Sequence, residues 1–275
     1  MIRDTILKTL FKSVFILFVL LIGFAGCSEK SIDPGNVDPD NLGNAIKILF
    51  IGNSYTYYHN MPQVFDSLAT RSGKEVYVDQ SIAGGKQVTF FVNDSTTHQK
   101  LRAQAWDYIV FQQFQLIMES EDRLWQHLPK AVMMDSIIHY YQPQAKTVLF
   151  MEQAYEGGDE TYDRNDTFLA MTERVKRGSI SFARQMGTHP IIAPVAVAWG
   201  NVFRNDNTIQ LHEPNDGAHP SIYGAYITAC VFYSTIFKEN ISTNYYNGLS
   251  ETFGISAQQT ASSTVLDSLA LWNNN

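Results

Sequence analysis

The chain has 275 residues, of which 45% are hydrophobic and 13% are aromatic, and this is enough apolar material for one large core. It carries 20 basic and 27 acidic side chains, a formal net charge of −7, and charged residues make up only 17% of the sequence. This composition argues against a disordered chain. The acidic balance, without a basic stripe, argues against nucleic acid as a partner.

The N-terminus has the pattern of an export signal. Three basic residues precede an apolar stretch at 14–24, and Ala25-Gly26-Cys27 follows. Eleven apolar residues suit the hydrophobic region of a signal peptide but are too few to span a bilayer as a helix. The small residues before Cys27 resemble a bacterial lipobox, in which the cysteine becomes the lipidated N-terminus, although Phe24 stands where leucine is more usual. An ordinary signal peptide and a short anchor helix are the alternatives.

The predicted domain organisation follows from this signal. We expect residues 1–26 to be a lipoprotein signal peptide, 27–44 a polar and flexible tether, and 45–275 a single domain. The lipid on Cys27 would anchor an exported protein to a bacterial membrane, at the periplasmic face or the cell surface. Cys230 then has no cysteine partner, and no disulfide is expected.

From residue 45 onward, strand-like apolar runs alternate with helical patterns. Short apolar runs separated by helices are typical of a parallel sheet that is covered on both faces. We therefore predict an α/β fold, a flavodoxin-like three-layer α/β/α sandwich with a five-stranded, mainly parallel sheet. The predicted strands are 46–51, 75–79, 108–112, 147–151 and 190–193; the predicted helices are 61–71, 124–141, 166–186, one that begins at Pro220, and 256–271.

Two short motifs carry the chemistry. The first predicted strand ends at Gly52-Asn53, and Ser54 follows at the carboxyl end, where open α/β sheets place their ligands. Far downstream, Asp216 and His219 offer an acid and an imidazole three residues apart. A serine hydroxyl becomes a nucleophile only when a neighbouring base takes its proton. Ser54 could instead be a plain helix cap, and the downstream motif an incidental turn. Together, however, the three residues are the parts of a serine hydrolase.

These motifs resemble those of the SGNH/GDSL hydrolase superfamily. The first block is Gly52-Asn53-Ser54, in which Asn53 replaces the usual aspartate, and the last block is Asp216-Gly-Ala-His219. The resemblance runs from about residue 46 to residue 237. It implies the SGNH hydrolase fold, with Ser54 as the nucleophile, His219 as the base and Asp216 as the acid that orients it.

The same resemblance implies an oxyanion hole. Besides the Ser54 N–H, the family uses a glycine N–H, for which Gly85 is the best match and Gly84 the second. A tight turn that needs glycine would explain this pair equally well. The family also uses an asparagine after the third strand, where this chain has Gln112 and Gln113. Glutamine carries the same donor on a longer arm, so Gln112 is the preferred candidate and Gln113 the second; a plain core-edge glutamine is the alternative.

The predicted function is hydrolysis of a carboxylic ester through an acyl-enzyme on Ser54. By analogy with exported proteins of this type, the substrate would be an acetylated glycan, and the activity that of a carbohydrate O-acetylesterase; hydrolysis of a lipid or of a small ester is left open. The alternative is a non-catalytic glycan-binding surface lipoprotein on the same fold. No metal or cofactor motif is present in the sequence, so none is expected.

Several other residues lie near the predicted site but have no assigned role. The aromatic residues after the nucleophile, and Trp199, could stack on sugar rings or simply pack. Glu152 and Gln153 end the fourth predicted strand and could reach the substrate.

Overall fold

A computed structural model describes residues 43–112 and 121–273. The predicted signal peptide, its Cys27, nearly all of the tether and Gln113 lie outside the described residues. The described chain forms alternating strands and helices, as the sequence pattern predicts.

The sheet has five strands in the order β2-β1-β3-β4-β5, and every pairing is parallel. This confirms the predicted sheet, and all but one of the ten predicted strand limits lie within one residue of the observed ones. The larger difference is in β2, which begins one residue later than predicted and continues for three more. The strands are β1 Ile46–Gly52, β2 Val76–Ile82, β3 Tyr108–Gln112, β4 Lys146–Phe150 and β5 Ile191–Ala193.

Helices connect the strands and cover the sheet. Four of the five predicted helices have a close counterpart, whereas the short helices after β2 and the helix after β5 were not predicted. None of the helices in the described ranges is both long and apolar enough to cross a bilayer. The helices are α1 Ser54–Tyr57, α2 Met61–Arg71, α3 Val88–Phe91, α4 Ser95–Ala103, α5 Glu121–Tyr141, α6 Phe168–Gln185, α7 Val195–Asn205, α8 Ile222–Phe237, α9 Glu251–Leu266 and α10 Leu269–Trp272.

The core lies between the sheet and the helices. The ring of Phe50 on β1 meets Phe65 of α2 at 5.7 Å and Phe232 of α8 at 5.2 Å, both edge-on. Such edge-to-face contacts add to the burial of the rings themselves. Helices α2 and α8 pack together on this face, while α5 packs against α4 and α6 in the other layer. This gives the three-layer sandwich that the sequence predicts.

The start of α8 differs from the prediction. We expected Pro220 in its first turn, but the helix begins at Ile222 and Ser221 caps it. The Ser221 hydroxyl accepts the free N–H groups of Tyr223 and Gly224, which proline cannot do. Pro220 lies outside the helix and pairs with His212 in an isolated antiparallel bridge.

The last predicted helix also differs, because residues 256–271 belong to two elements. Helix α9 begins earlier, at Glu251, where the Ser250 hydroxyl accepts the Phe253 N–H, and it ends at Leu266. A short helix, α10, then follows at Leu269–Trp272.

Candidate active site

Ser54 lies where the strand order reverses next to β1. In flavodoxin-like sheets this position opens a crevice at the carboxyl ends of the strands, in which ligands bind. The Asn53 side chain caps α1 by accepting the Tyr55 N–H at 3.0 Å, so Ser54 is the first residue of the helix. At that position its N–H has no acceptor within the helix. Glycine is favoured at position 52, just before, because a Cβ there would lie 2.2 Å from the Oγ1 of the buried Thr56 and 3.1 Å from its Cβ.

Asp216 and His219 lie on a loop that folds back on itself. The Glu213 N–H donates to the His219 carbonyl at 2.8 Å, and the Ser221 N–H donates to the Leu211 carbonyl at 2.9 Å. Beneath this loop His212 is buried, and its Nε2 lies 2.8 Å from the Ala154 carbonyl. Backbone pairing and a buried anchor therefore fix the loop that presents the acid and the imidazole.

The structure brings the three predicted residues together. The Ser54 Oγ lies 2.8 Å from the His219 Nε2, and the His219 Nδ1 lies 2.7 Å from the Asp216 Oδ2. The other carboxylate oxygen of Asp216 accepts the backbone N–H groups of Ala218 and His219, at 2.8 and 2.9 Å. One carboxylate thus holds both the loop and the imidazole ring in place.

The protonation state of Asp216 follows from these contacts. Partial burial raises the pKa of the carboxyl, but hydrogen bonds from the His219 and Ala218 N–H groups and from the His219 ring outweigh it. The pKa of Asp216 therefore lies below its usual value, and the group is ionised at neutral pH. An ionised carboxylate only accepts hydrogen bonds, so the Nδ1 of His219 carries a proton, and the tautomer with its proton on Nδ1 alone can accept from Ser54 at Nε2.

Two tyrosines flank the imidazole. The Tyr58 ring lies 4.3 Å from the His219 ring, between centroids, with 15° between the planes, and Tyr55 lies at 5.2 Å and 22°. Sugar stacking and packing are the two roles open to these aromatic residues, and Tyr55 and Tyr58 have packing contacts with the His219 ring. Nearby, the His59 Nε2 lies 2.6 Å from the Glu213 Oε1 and so links the segment after α1 to the loop that carries Asp216. The sequence offered no signal for this contact.

The candidate oxyanion glycine lies in a tight turn beside the nucleophile. The Lys86 N–H donates to the Ala83 carbonyl at 3.2 Å, and between them Gly85 has φ +67°, a left-handed conformation that favours glycine. The second candidate, Gly84, faces α1, since a Cβ there would lie 3.0 Å from the Tyr57 hydroxyl. The two glycines therefore form a tight turn, as one explanation predicts, and this turn also lies next to the site, as the oxyanion role requires.

Gln112 makes contacts that the sequence did not predict. Its Oε1 accepts the Asn53 N–H at 3.0 Å and the Thr56 hydroxyl at 2.5 Å, while its Nε2 donates to the Asn53 Oδ1 at 2.5 Å. The side chain is only 4% exposed. These contacts hold the amide against Asn53 and Thr56, which gives Gln112 a supporting role in addition to the predicted oxyanion role. That role stays a prediction and would use the second hydrogen of Nε2. The second candidate, Gln113, lies outside the described residues.

The remaining candidates have supporting positions. The Gln153 Nε2 donates to the Ala218 carbonyl at 3.1 Å, so this residue holds the loop that carries His219. Glu152 is buried next to it. Trp199 is fully buried, and its ring N–H donates to the Thr228 hydroxyl at 3.2 Å, which makes it a packing residue.

No cluster of three or more histidine, cysteine or acidic side chains in the described ranges is arranged to hold a metal ion.

A solvent-open depression of about 490 Å³ lies against Asp216, between residues 155–160 and 214–218. Its charged side chains, those of Glu156, Glu160 and Asp216, are all acidic.

Comparison with solved structures identifies the fold. A DUF4886 family protein from Bacteroides uniformis matches with a TM-score of 0.67 and 20% identity, over 81% of this chain and 95% of that one. A candidate SGNH hydrolase from Slackia heliotrinireducens matches with a TM-score of 0.57 and 23% identity, over 70% of this chain and 100% of the other. A carbohydrate esterase family 3 protein from Talaromyces cellulolyticus matches with a TM-score of 0.50 and 16% identity, over 70% and 97%.

No protein-family model matches the chain, and no curated protein sequence does. The solved structures nevertheless confirm the predicted architecture: the chain has the SGNH hydrolase fold.

Proposed function

We propose that this protein is a serine esterase that hydrolyses a carboxylic ester through an acyl-enzyme on Ser54. The observation that carries the proposal is the continuous hydrogen-bonded chain from the Ser54 hydroxyl through His219 to Asp216, with distances of 2.8 and 2.7 Å. These are hydrogen-bond distances, and the serine, base and acid stand in the order that nucleophilic catalysis requires.

The reaction follows from this geometry. The His219 Nε2 takes the hydroxyl proton as the Ser54 Oγ attacks the ester carbonyl carbon, which leaves negative charge on the carbonyl oxygen. The bond to the alcohol then breaks, and the leaving oxygen takes the proton from His219. Water attacks the acyl-enzyme with His219 again acting as base, and the acid is released with Ser54 restored. Asp216 holds the imidazole in the required tautomer and stabilises its cation.

Two backbone donors suit the developing oxyanion. The Ser54 N–H has no acceptor within α1, and the glycine turn at Gly85 lies against the same strand end. Preorganised N–H groups of this kind typically contribute a factor of about 10²–10³ each to the rate. We assign the hole to these two groups, with the Gln112 amide as a predicted third donor.

The substrate we propose is a short acyl ester on a carbohydrate. A carbohydrate esterase family 3 protein has the same fold, and this likeness concerns the architecture only. The acidic side chains around the depression next to Asp216 would repel an anionic alcohol, which is consistent with an uncharged sugar as the alcohol part. We further propose, from the N-terminal sequence alone, that the protein is exported and lipid-anchored at Cys27.

A direct test uses a chromogenic short-chain ester. The purified protein should hydrolyse it, and Ser54→Ala should lower kcat on the order of 10³-fold or more with the fold intact. A matched control is Ser95→Ala, which removes a hydroxyl at the first position of another helix and should leave the rate unchanged. Equal activity in Ser54→Ala and the wild type would exclude the mechanism.

The second candidate function is glycan binding without turnover. One observation favours it: Gln112, which stands where the family has an oxyanion-binding asparagine, turns its amide toward Asn53. Under this alternative, the protein would bind an acetylated oligosaccharide in calorimetry and leave its acetyl groups in place. Release of acetate from the same oligosaccharide would exclude the alternative.

A further inference from the structure

Asn53 joins three segments at the carboxyl edge of the sheet. Its Nδ2 donates to the Lys86 carbonyl at 2.9 Å, and its Oδ1 accepts from the Tyr55 N–H at 3.0 Å and from the Gln112 Nε2 at 2.5 Å. The side chain is only 4% exposed. The exit of β1, the turn after β2 and the end of β3 are therefore tied to one buried carboxamide.

The partner amide of Gln112 makes this arrangement specific. Its Oε1 accepts the Asn53 N–H at 3.0 Å, so each residue both donates to and accepts from the other. A carboxylate at position 53 would keep the acceptor but point a second oxygen at the Lys86 carbonyl. Since two acceptors repel and a buried acceptor without a partner is destabilising, this position requires a donor as well as an acceptor.

The turn that carries Gly85 is held at both ends by the strand exit. At one end the Ala83 N–H donates to the Gly52 carbonyl at 3.1 Å, and at the other the Lys86 carbonyl accepts from Asn53 at 2.9 Å. The Gly85 N–H lies between these two attachments. Its position relative to the Ser54 N–H is thus set through Asn53, whose own peptide leads directly into Ser54.

We propose that Asn53 is a positioning residue for the oxyanion hole, which places the Gly85 N–H next to the Ser54 N–H by holding the Lys86 carbonyl. The inference rests on the proposed esterase function. It also explains why asparagine stands here in place of the aspartate that the resemblance leads one to expect: this chain needs a side-chain donor at position 53, and aspartate has none when it is ionised.

The test compares two variants that lose the amide N–H donated to the Lys86 carbonyl; in Asn53→Ser a shorter hydroxyl replaces it. Asn53→Asp has the same shape, keeps the acceptor for Tyr55 and Gln112 and remains a good helix cap, while Asn53→Ser caps the helix without adding charge. In both, kcat for the chromogenic ester should fall about 10- to 100-fold with KM changed less than about three-fold, because the loss concerns the transition state. Affinity for a small boronic acid, whose adduct on Ser54 is tetrahedral and anionic, should fall by a similar factor.

A control variant separates this role from general damage. Asn93→Asp adds the same charge at an exposed loop position, so it should retain wild-type kcat and boronic acid affinity. The Asn53 variants should show a cooperative thermal transition. If neither folds, the crystal structure of the wild type with a phosphonate on Ser54 decides, since its oxyanion-like oxygen should lie within about 3.2 Å of the Gly85 nitrogen.

The outcomes are distinct. Folded Asn53 variants with kcat within about two-fold of wild type would overturn the inference, as would a loss confined to Asn53→Asp, which would indicate a charge effect. A phosphonate oxygen directed away from Gly85 would also overturn it. These results would leave the esterase proposal standing if the wild type is active. A wild type that neither hydrolyses esters nor reacts at Ser54 would instead overturn the proposed function.

Discussion

Replacing Asp216 by asparagine tests the assigned role of this carboxylate most selectively. The amide oxygen can still accept the Ala218 and His219 N–H groups at the positions where the carboxylate accepts them, at 2.8 and 2.9 Å, so the loop should keep its shape. The amide nitrogen, however, would face the His219 Nδ1 at about the 2.7 Å that now separates it from the carboxylate. Since that nitrogen donates, the ring must accept there, and its proton moves to Nε2, where it prevents the ring from taking the Ser54 proton.

The expected loss can be estimated from the exposure of this pair. The corresponding change in serine proteases with a buried acid costs about 10⁴-fold in kcat. Because the Asp216 side chain is 40% exposed and the His219 side chain 26% exposed, water can partly compensate. We therefore expect kcat to fall about 10³-fold, or about 4 kcal/mol in the activation free energy.

The assay is hydrolysis of the chromogenic ester at neutral pH, together with a thermal melt. A matched control is Asp206→Asn, because the Asp206 carboxylate likewise accepts a backbone N–H and a side-chain hydrogen, both from Thr208, but lies outside the site. The control should keep wild-type kcat. If Asp216→Asn folds and retains kcat within about ten-fold of wild type, the tautomer argument is wrong.

Two further predictions concern the stacked ring and a buried ion pair. Tyr58→Leu removes the ring that faces His219 at 4.3 Å, and kcat/KM should fall about five- to ten-fold because the imidazolium loses about 1 kcal/mol of stabilisation. Tyr58→Phe keeps a ring and should match wild type. Equal values of kcat/KM for the two variants would contradict this prediction. The second prediction concerns Asp166. Burial raises the pKa of this carboxyl, but hydrogen bonds, above all that from Arg174, lower it by more, so the pKa lies below its usual value. A lowered folded-state pKa means that this stability is present above the unfolded value near 3.9 and is lost as pH falls through the folded value. Asp166→Asn should lower the free energy of unfolding by about 3 kcal/mol at neutral pH. In thermal melts from pH 6 to pH 2, the difference in stability between the variant and the wild type should shrink below about pH 4. A difference that stays constant with pH would refute the assignment.

Strands β1, β3, β4 and β5 could be predicted from the sequence because each contains a short apolar run that ends at polar or turn-forming residues. Strand β2 lies at the edge of the sheet and has a polar second half, Asp79-Gln80-Ser81, so its end was placed three residues too early. Helix α2 was predicted with its observed limits, Met61–Arg71, since its apolar spacing is helical and Pro62 stands at its start. Helix α7 was missed for the opposite reason. It follows β5 after the single residue Pro194, and its first six residues, 195–200, are all apolar, so they could not be distinguished from a continuing strand.

In the site, too, some residues could be predicted from the sequence and others could not. Ser54, Asp216 and His219 could be recognised because their chemistry and local spacing are written in the sequence, and the fold brings them together. The position of Gln112 could not, because its orientation depends on Asn53 and Thr56, 59 and 56 residues away in the chain. Side-chain hydrogen bonds between distant segments leave no local pattern.

The measurement that tests the central claim most directly is covalent labelling with a fluorophosphonate, followed by mapping of the modified peptide. Such a probe reacts with a serine hydroxyl whose proton a neighbouring base removes. The account predicts one adduct, on Ser54, which is absent in Ser54→Ala and much slower to form in His219→Ala. A folded wild-type protein that remains unlabelled, or that is labelled at another residue, would contradict it.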